Sequence, residues 1–147
     1  ICNGFQILLE AGLIPGAMMH NNKLRFVCKS VNIRVENTES MFTSHLKKGQ
    51  VLNIPVSHGE GNYFIDDDGL KALNDNNQVL FRYTDAEGNL TDEANFNGSR
   101  DSIAGITNVG GNVLGMMPHP ERAMEKILGS EDGKPIFDSI LNSLSIA

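Results

Sequence analysis

Phe5, Leu8 and Leu9 recur at helical spacing between Asn3 and Ala11, and Gly12 stands where a left-handed cap closes a helix, with Pro15 beyond it. The chain is therefore predicted to open on one short helix. From Leu24 to Glu36 the pattern changes to period two: Val31, Ile33 and Val35 face one way, Asn32, Arg34 and Glu36 the other, as in a half-buried strand. Val51 to Val56 is an apolar run holding Pro55, which suits a strand that delivers a polar, glycine-flanked loop, Ser57 to Gly61. Asp66 to Asn74 carries acids at its front and Leu70 and Leu73 three apart, the mark of a short capped helix.

Val79 to Tyr83 reads as a further strand, and Asp85 to Asn89 and Asn95 to Ser99 as turn and loop. Ile103 to Thr107 and Val113 to Met117 form a predicted hairpin about Gly110-Gly111-Asn112. Asp132 to Leu144 is predicted as a closing helix, with Pro135 in its first turn and Ile136, Phe137, Ile140, Leu141 and Leu144 as its apolar stripe. Helices alternating with strands indicate an α/β layered domain.

With 147 residues, 40% of them hydrophobic, the chain can bury one core and has no room for two. A net charge of −6 argues against nucleic acid or anionic lipid as a partner, because both would be repelled at long range. No apolar run approaches the ~20 residues that span a bilayer, and no secretory leader is present, so a cytoplasmic location is expected. Position 1 is Ile and the first residues already form a turn into a helix, so further residues are expected upstream.

Two cysteines make no disulfide framework, which leaves the thiols for chemistry or packing. Cys2 precedes a helix, where free N–H groups and the helix dipole favour a thiolate. Ile1-Cys2-Asn3-Gly4 has the form of a nucleophile elbow, with the Asn3 N–H available to an oxyanion and Gly4 allowing close backbone packing. By position alone, a small buried side chain is the commoner reading. Cys28 lies within a strand pattern and is expected to be core or filler.

In Met117-Pro118-His119-Pro120-Glu121 each proline disfavours helix before it, so the run is expected to be extended with His119 and Glu121 on one face. An imidazole beside a thiol, braced by a carboxylate, is the apparatus of cysteine-based acyl transfer. A loop histidine and a helix-opening glutamate are the bland alternative. His20 and His45 are expected to face solvent. His58, at a strand's end, is either a ligand-binding residue or a hydrogen-bonded structural one. None of the histidines has zinc-site spacing, so no metal is expected.

On these motifs the chain resembles the class I (triad) glutamine amidotransferases. Ile1 to Gln6 is similar to the family's elbow signature, Pro55 to Gly61 to its Pro-x-x-His-Gly-Glu-Gly stretch, and Pro118 to Arg122 to its Pro-His-Pro-Glu-Arg signature. Leu24 to Cys28, Asn95 to Ser99, Ile103 to Ile106 and Gly115 to Met117 look most like the glutaminase subunits that serve purine synthesis, except that Phe96 stands where proline is usual. The resemblance implies a flavodoxin-like α/β domain with a mostly parallel central sheet and inserted hairpins. Residues 1–147 would form its C-terminal part, without its first strands and helices.

It further implies a Cys2, His119, Glu121 triad that hydrolyses L-glutamine. Gln6 would hold the amino-acid end, and His58, Gly59 and Glu60 would line the pocket or meet the synthetase. No cofactor is implied in this chain. ATP and Mg would be used by a separate synthetase subunit, which with a small bridging subunit converts formylglycinamide ribonucleotide to the amidine. Cysteine hydrolases and stress proteins of the same superfamily usually place a histidine directly after the nucleophile, where this chain has Asn3. A non-catalytic docking fragment is the other alternative.

Overall fold

The computed structural model describes residues 1–145. Its elements in chain order are α1 (Asn3–Glu10), β1 (Ala17–His20), β2 (Val27–Val35), β3 (Val51–His58), β4 (Glu60–Phe64), α2 (Asp67–Asp75), β5 (Val79–Thr84), β6 (Ile103–Thr107), β7 (Leu114–Met116) and α3 (Lys134–Ser145), with short 3-10 turns between. Each predicted helix and strand is present within a few residues. Gly12 takes φ +71 after α1, and the Asp66 side chain caps α2 by accepting from the Gly69 N–H.

Five strands make one sheet in the order β3-β2-β5-β6-β7, and β1 pairs with β4 in a two-stranded ribbon. The mixed α/β class is as expected, but the parallel sheet is not. Every strand pair among the described residues is antiparallel. A parallel pair needs a crossover connection. Here β2 runs back as β3 after the segment 36–50, and β6 turns back as β7.

Both faces of the sheet are covered. One buries Ile33, Leu52, Ile54, Leu80, Phe81 and Tyr83 with Phe42 and Ile136; the other packs Ile103, Ile106 and Met117 against Phe5 and Leu9 of α1 and Leu73 of α2. Coverage on both sides explains why β5 and β6 are buried at every position, Arg82, Thr84 and Thr107 included.

Three packing expectations are corrected. Helix α3 buries Ile136 and Ser139, while Leu141 and Leu144 are 63% and 61% exposed. The buried Ser139 hydroxyl accepts from the His45 N–H at 2.9 Å and donates to the Pro135 carbonyl at 2.7 Å, so the inward face of the helix is partly polar. Cys28 is exposed, because the inward alternation of β2 begins only at Val31. Ser57 to Gly61 is no loop: β3 runs to His58 and β4 starts at Glu60, leaving Gly59 as the single joint between two sheets.

Candidate active site

Cys2 caps α1 with φ 52 and ψ −113, a left-handed conformation that a residue bearing a Cβ adopts only under constraint. The constraint is visible: its N–H donates to the Met116 carbonyl at 2.8 Å, and its carbonyl accepts from the Phe5 N–H at 2.9 Å. Asn3 is the first helical residue, where a backbone N–H has no acceptor within the helix. The expected close packing at Gly4 is absent, since a Cβ there would meet nothing within 4 Å. The close approach is at Gly115 instead, where a Cβ would lie 2.3 Å from the Phe5 ring; that glycine lets α1 settle on β7.

His119 hangs on the same framework. Its N–H donates to the Pro55 carbonyl at 2.8 Å, and the Cys2 Sγ donates to the Ser57 carbonyl at 3.6 Å. β3 is an edge strand, and carbonyls two residues apart on one strand point the same way, ~7 Å apart. Pro55 has no N–H to leave unpaired there, which is why an edge accepts it. The outer edge of β3 thus carries both the thiol and the histidine.

His119 Nδ1 lies 2.5 Å from the Glu121 Oε1. The contact arises differently from the expectation, because Pro120 opens a 3-10 turn over Pro120–Arg122 and extension ends at His119. The turn folds the carboxylate back onto the ring. Nδ1–H donates to Glu121, so in the neutral ring the lone pair sits on Nε2, which is buried and has no partner. Cys2 and His119 share no hydrogen bond.

His58 is only 3% exposed and is fixed by Asn21. The Asn21 Nδ2 donates to the Arg25 and His58 carbonyls, both at 2.9 Å, so its Oδ1 faces the ring and accepts from Nδ1–H at 3.1 Å. Burial first, and then the charge of nearby His119, lowers the His58 pKa to about 4. His58 is neutral at pH 7, with its Nε2 lone pair buried and unpartnered. Its ring stacks on Phe96 at 5.8 Å, and Phe96 meets Tyr83 edge-on at 5.4 Å. Burial raises the Tyr83 pKa, its hydroxyl being buried without a hydrogen-bond partner, and Cys2 is near enough to raise it further.

On the other side of Cys2, Gln6 Nε2 reaches the Glu60 carboxylate at 3.2 Å, and the second carboxylate oxygen lies 3.4 Å from His20 Nδ1. Asn3, Gln6, Glu10, Met18 and Glu60 line a cleft of about 460 Å³. Among the described residues, no group of three His, Cys, Asp or Glu side chains is placed to share a metal ion. The sequence reading did not single out Asn21, Tyr83 or Met116. Only Asn21 left a signal, as an asparagine set among apolar and basic neighbours.

A family description, the CobB/CobQ-like glutamine amidotransferase domain, matches residues 1–134. The chain belongs to this family. The amidotransferase is 58% identical over 146 residues to phosphoribosylformylglycinamidine synthase subunit PurQ of Salinibacter ruber, covering 99% of this chain and 62% of that one. It is 55% identical over 145 residues to the same-named subunit of Chlorobaculum parvum, covering 99% and 58%. A solved structure, PurLQS from Thermotoga maritima, superposes with a TM-score of 0.81 at 46% identity over 97% of this chain and 59% of that chain. The amidotransferase thus spans about three fifths of the length of the relatives it matches.

Proposed function

We propose that this amidotransferase domain is the glutaminase part of a phosphoribosylformylglycinamidine synthase. The carrying observation is the bond between His119 and Glu121, which leaves Nε2 bare on the strand edge that also holds Cys2. The His119 Nε2 takes the Cys2 thiol proton, the resulting thiolate attacks the side-chain amide carbon of L-glutamine, and the Asn3 N–H receives the developing oxyanion. The C–N bond breaks as His119 passes a proton to the leaving nitrogen, giving ammonia and a γ-glutamyl thioester. Water, deprotonated by His119, then releases glutamate and restores the thiol. Glu121 orients the ring and balances its charge in both halves.

Gln6 and Glu60 hold the amino-acid end of glutamine beside Asn3, and His58 and Gly59 wall the pocket from within. The ammonia passes to a synthetase subunit that uses ATP and Mg to convert formylglycinamide ribonucleotide to formylglycinamidine ribonucleotide, with a small bridging subunit completing the assembly. The names of the relatives and of the PurLQS structure support this assignment. Such a pathway runs in the cytoplasm, and among the described residues no helix is long and apolar enough to cross a membrane.

The test is covalent labelling of the full-length protein with a diazoketone analogue of glutamine, followed by peptide mapping. Modification of Cys2 alone, blocked by glutamine, is expected. A label placed elsewhere refutes the mechanism.

A further inference from the structure

Gly61 has no room for a side chain, because a Cβ there would lie 2.1 Å from the His58 ring. In the β1–β4 ribbon this residue is passed over. The register runs Met18 to Tyr63 and Met19 to Asn62, then skips Gly61 and sets His20 opposite Glu60. A bulge of this kind re-aims the side chains beside it. Here it turns an imidazole and a carboxylate into a directly facing cross-strand pair.

The Glu60 carboxylate is approached from two sides. Its Oε2 accepts from the Gln6 Nε2 at 3.2 Å, and its Oε1 stands 3.4 Å from the His20 Nδ1. Gln6 and Glu60 line the cleft beside Asn3, whose charged lining is Glu10 and Glu60. His20 is not part of that lining and its side chain is 69% exposed. It touches the cleft only through Glu60.

The size of the substrate selects which carboxylate it meets. In L-glutamine the α-nitrogen stands four bonds from the amide carbon, about 5 Å in an extended chain. At ~1.5 Å per residue along α1, Gln6 lies ~4.5 Å beyond Asn3 and Glu10 ~10 Å beyond it. With the amide at Cys2, the α-ammonium therefore comes level with Gln6 and the carboxylate bonded to it, while Glu10 is out of reach.

We infer that His20 is a positioning residue for the substrate: from outside the cleft it fixes the Glu60 carboxylate where the α-ammonium of L-glutamine binds, and so acts on substrate affinity and not on the chemical step. The inference rests on the proposed function for the identity of the substrate. Because exposed pairs of this kind are weak, the effect is small, on the order of threefold in affinity.

The experiment measures ammonia release by the full-length protein from L-glutamine and from glutaramate, which is glutamine without its α-amino group. His20→Ala is expected to raise KM for L-glutamine about threefold with kcat unchanged, and to leave KM for glutaramate at the wild-type value. His20→Gln, which keeps an N–H within reach of Glu60, should bring the glutamine KM back toward that of the wild type. Unfolding midpoints in urea should agree among the three proteins. An unchanged glutamine KM in His20→Ala overturns the inference, as does an equal rise for both substrates, which would mark a general loosening of the ribbon. Calorimetric binding of both compounds to full-length Cys2→Ala, with and without His20→Ala, repeats the comparison in the absence of chemistry. A wild type that releases no ammonia, beside a Cys2→Ala form that still binds glutamine, counts against the amidotransferase mechanism alone. Absence of glutamine binding removes both.

Discussion

The N–H of Cys2 donates to the carbonyl of Met116 at 2.8 Å, which ties the candidate nucleophile to the strand that leads into His119. This bond and the turn into α1 hold Cys2 at φ 52, ψ −113, where glycine alone is unstrained. Substituting Cys2→Gly should therefore yield a protein more stable than Cys2→Ala by ~1 kcal/mol, the reverse of the usual order at a helix. Urea unfolding of both variants checks this, and both should release no ammonia from glutamine.

Replacing Glu121 by Gln keeps a hydrogen-bonding group beside His119 but removes the charge that balances a protonated ring. The kcat for glutamine hydrolysis should fall about 10²-fold with KM little changed, and His119→Asn should cost about 10³-fold or more. Steady-state ammonia release separates the two parameters. A rise in KM with kcat unchanged would instead assign Glu121 to substrate binding.

His58 makes stability depend on pH. Its folded pKa of about 4 lies below the ordinary 6.5, so the unfolded chain binds the proton first as pH falls. The contribution of neutral His58 is complete above pH 6.5 and declines between there and pH 4, by up to ~3 kcal/mol. Thermal or urea unfolding between pH 8 and pH 4 should show this decline, and His58→Gln should flatten it.

Gly133 supports the catalytic turn from beneath. A Cβ at that position would stand 2.1 Å from the Pro120 carbonyl oxygen. Gly133→Ala should lower stability by roughly 1–3 kcal/mol. It should also lower glutamine turnover, because the displaced residue lies between His119 and Glu121. Activity retained in a destabilised variant would show that the turn tolerates the shift.

Much of the candidate site was legible because its residues bring their own local geometry. A cysteine before a helix and a histidine between prolines announce themselves, although the run after His119 turns where the prolines suggested extension. Sheet direction was not legible, since a short strand pattern such as Val79 to Tyr83 reads alike whether its neighbour is parallel or antiparallel. Nor was the α3 rotation, which buries the hydrogen-bonded Ser139 and leaves Leu141 and Leu144 exposed. Asn21 lies outside any period: its importance comes from two carbonyls and a ring that meet it only after folding.

The bond between Cys2 and Met116 also orders events during synthesis. The ribosome delivers the thiol before its anchoring carbonyl, with β1 to β6 emitted in between. A nascent chain stalled before Met116 carries the cysteine without its base and without the kinked backbone that exposes it. The thiol meets its anchoring carbonyl only once β7 has docked, so on the proposed mechanism a half-made polypeptide is spared from hydrolysing substrate to no purpose.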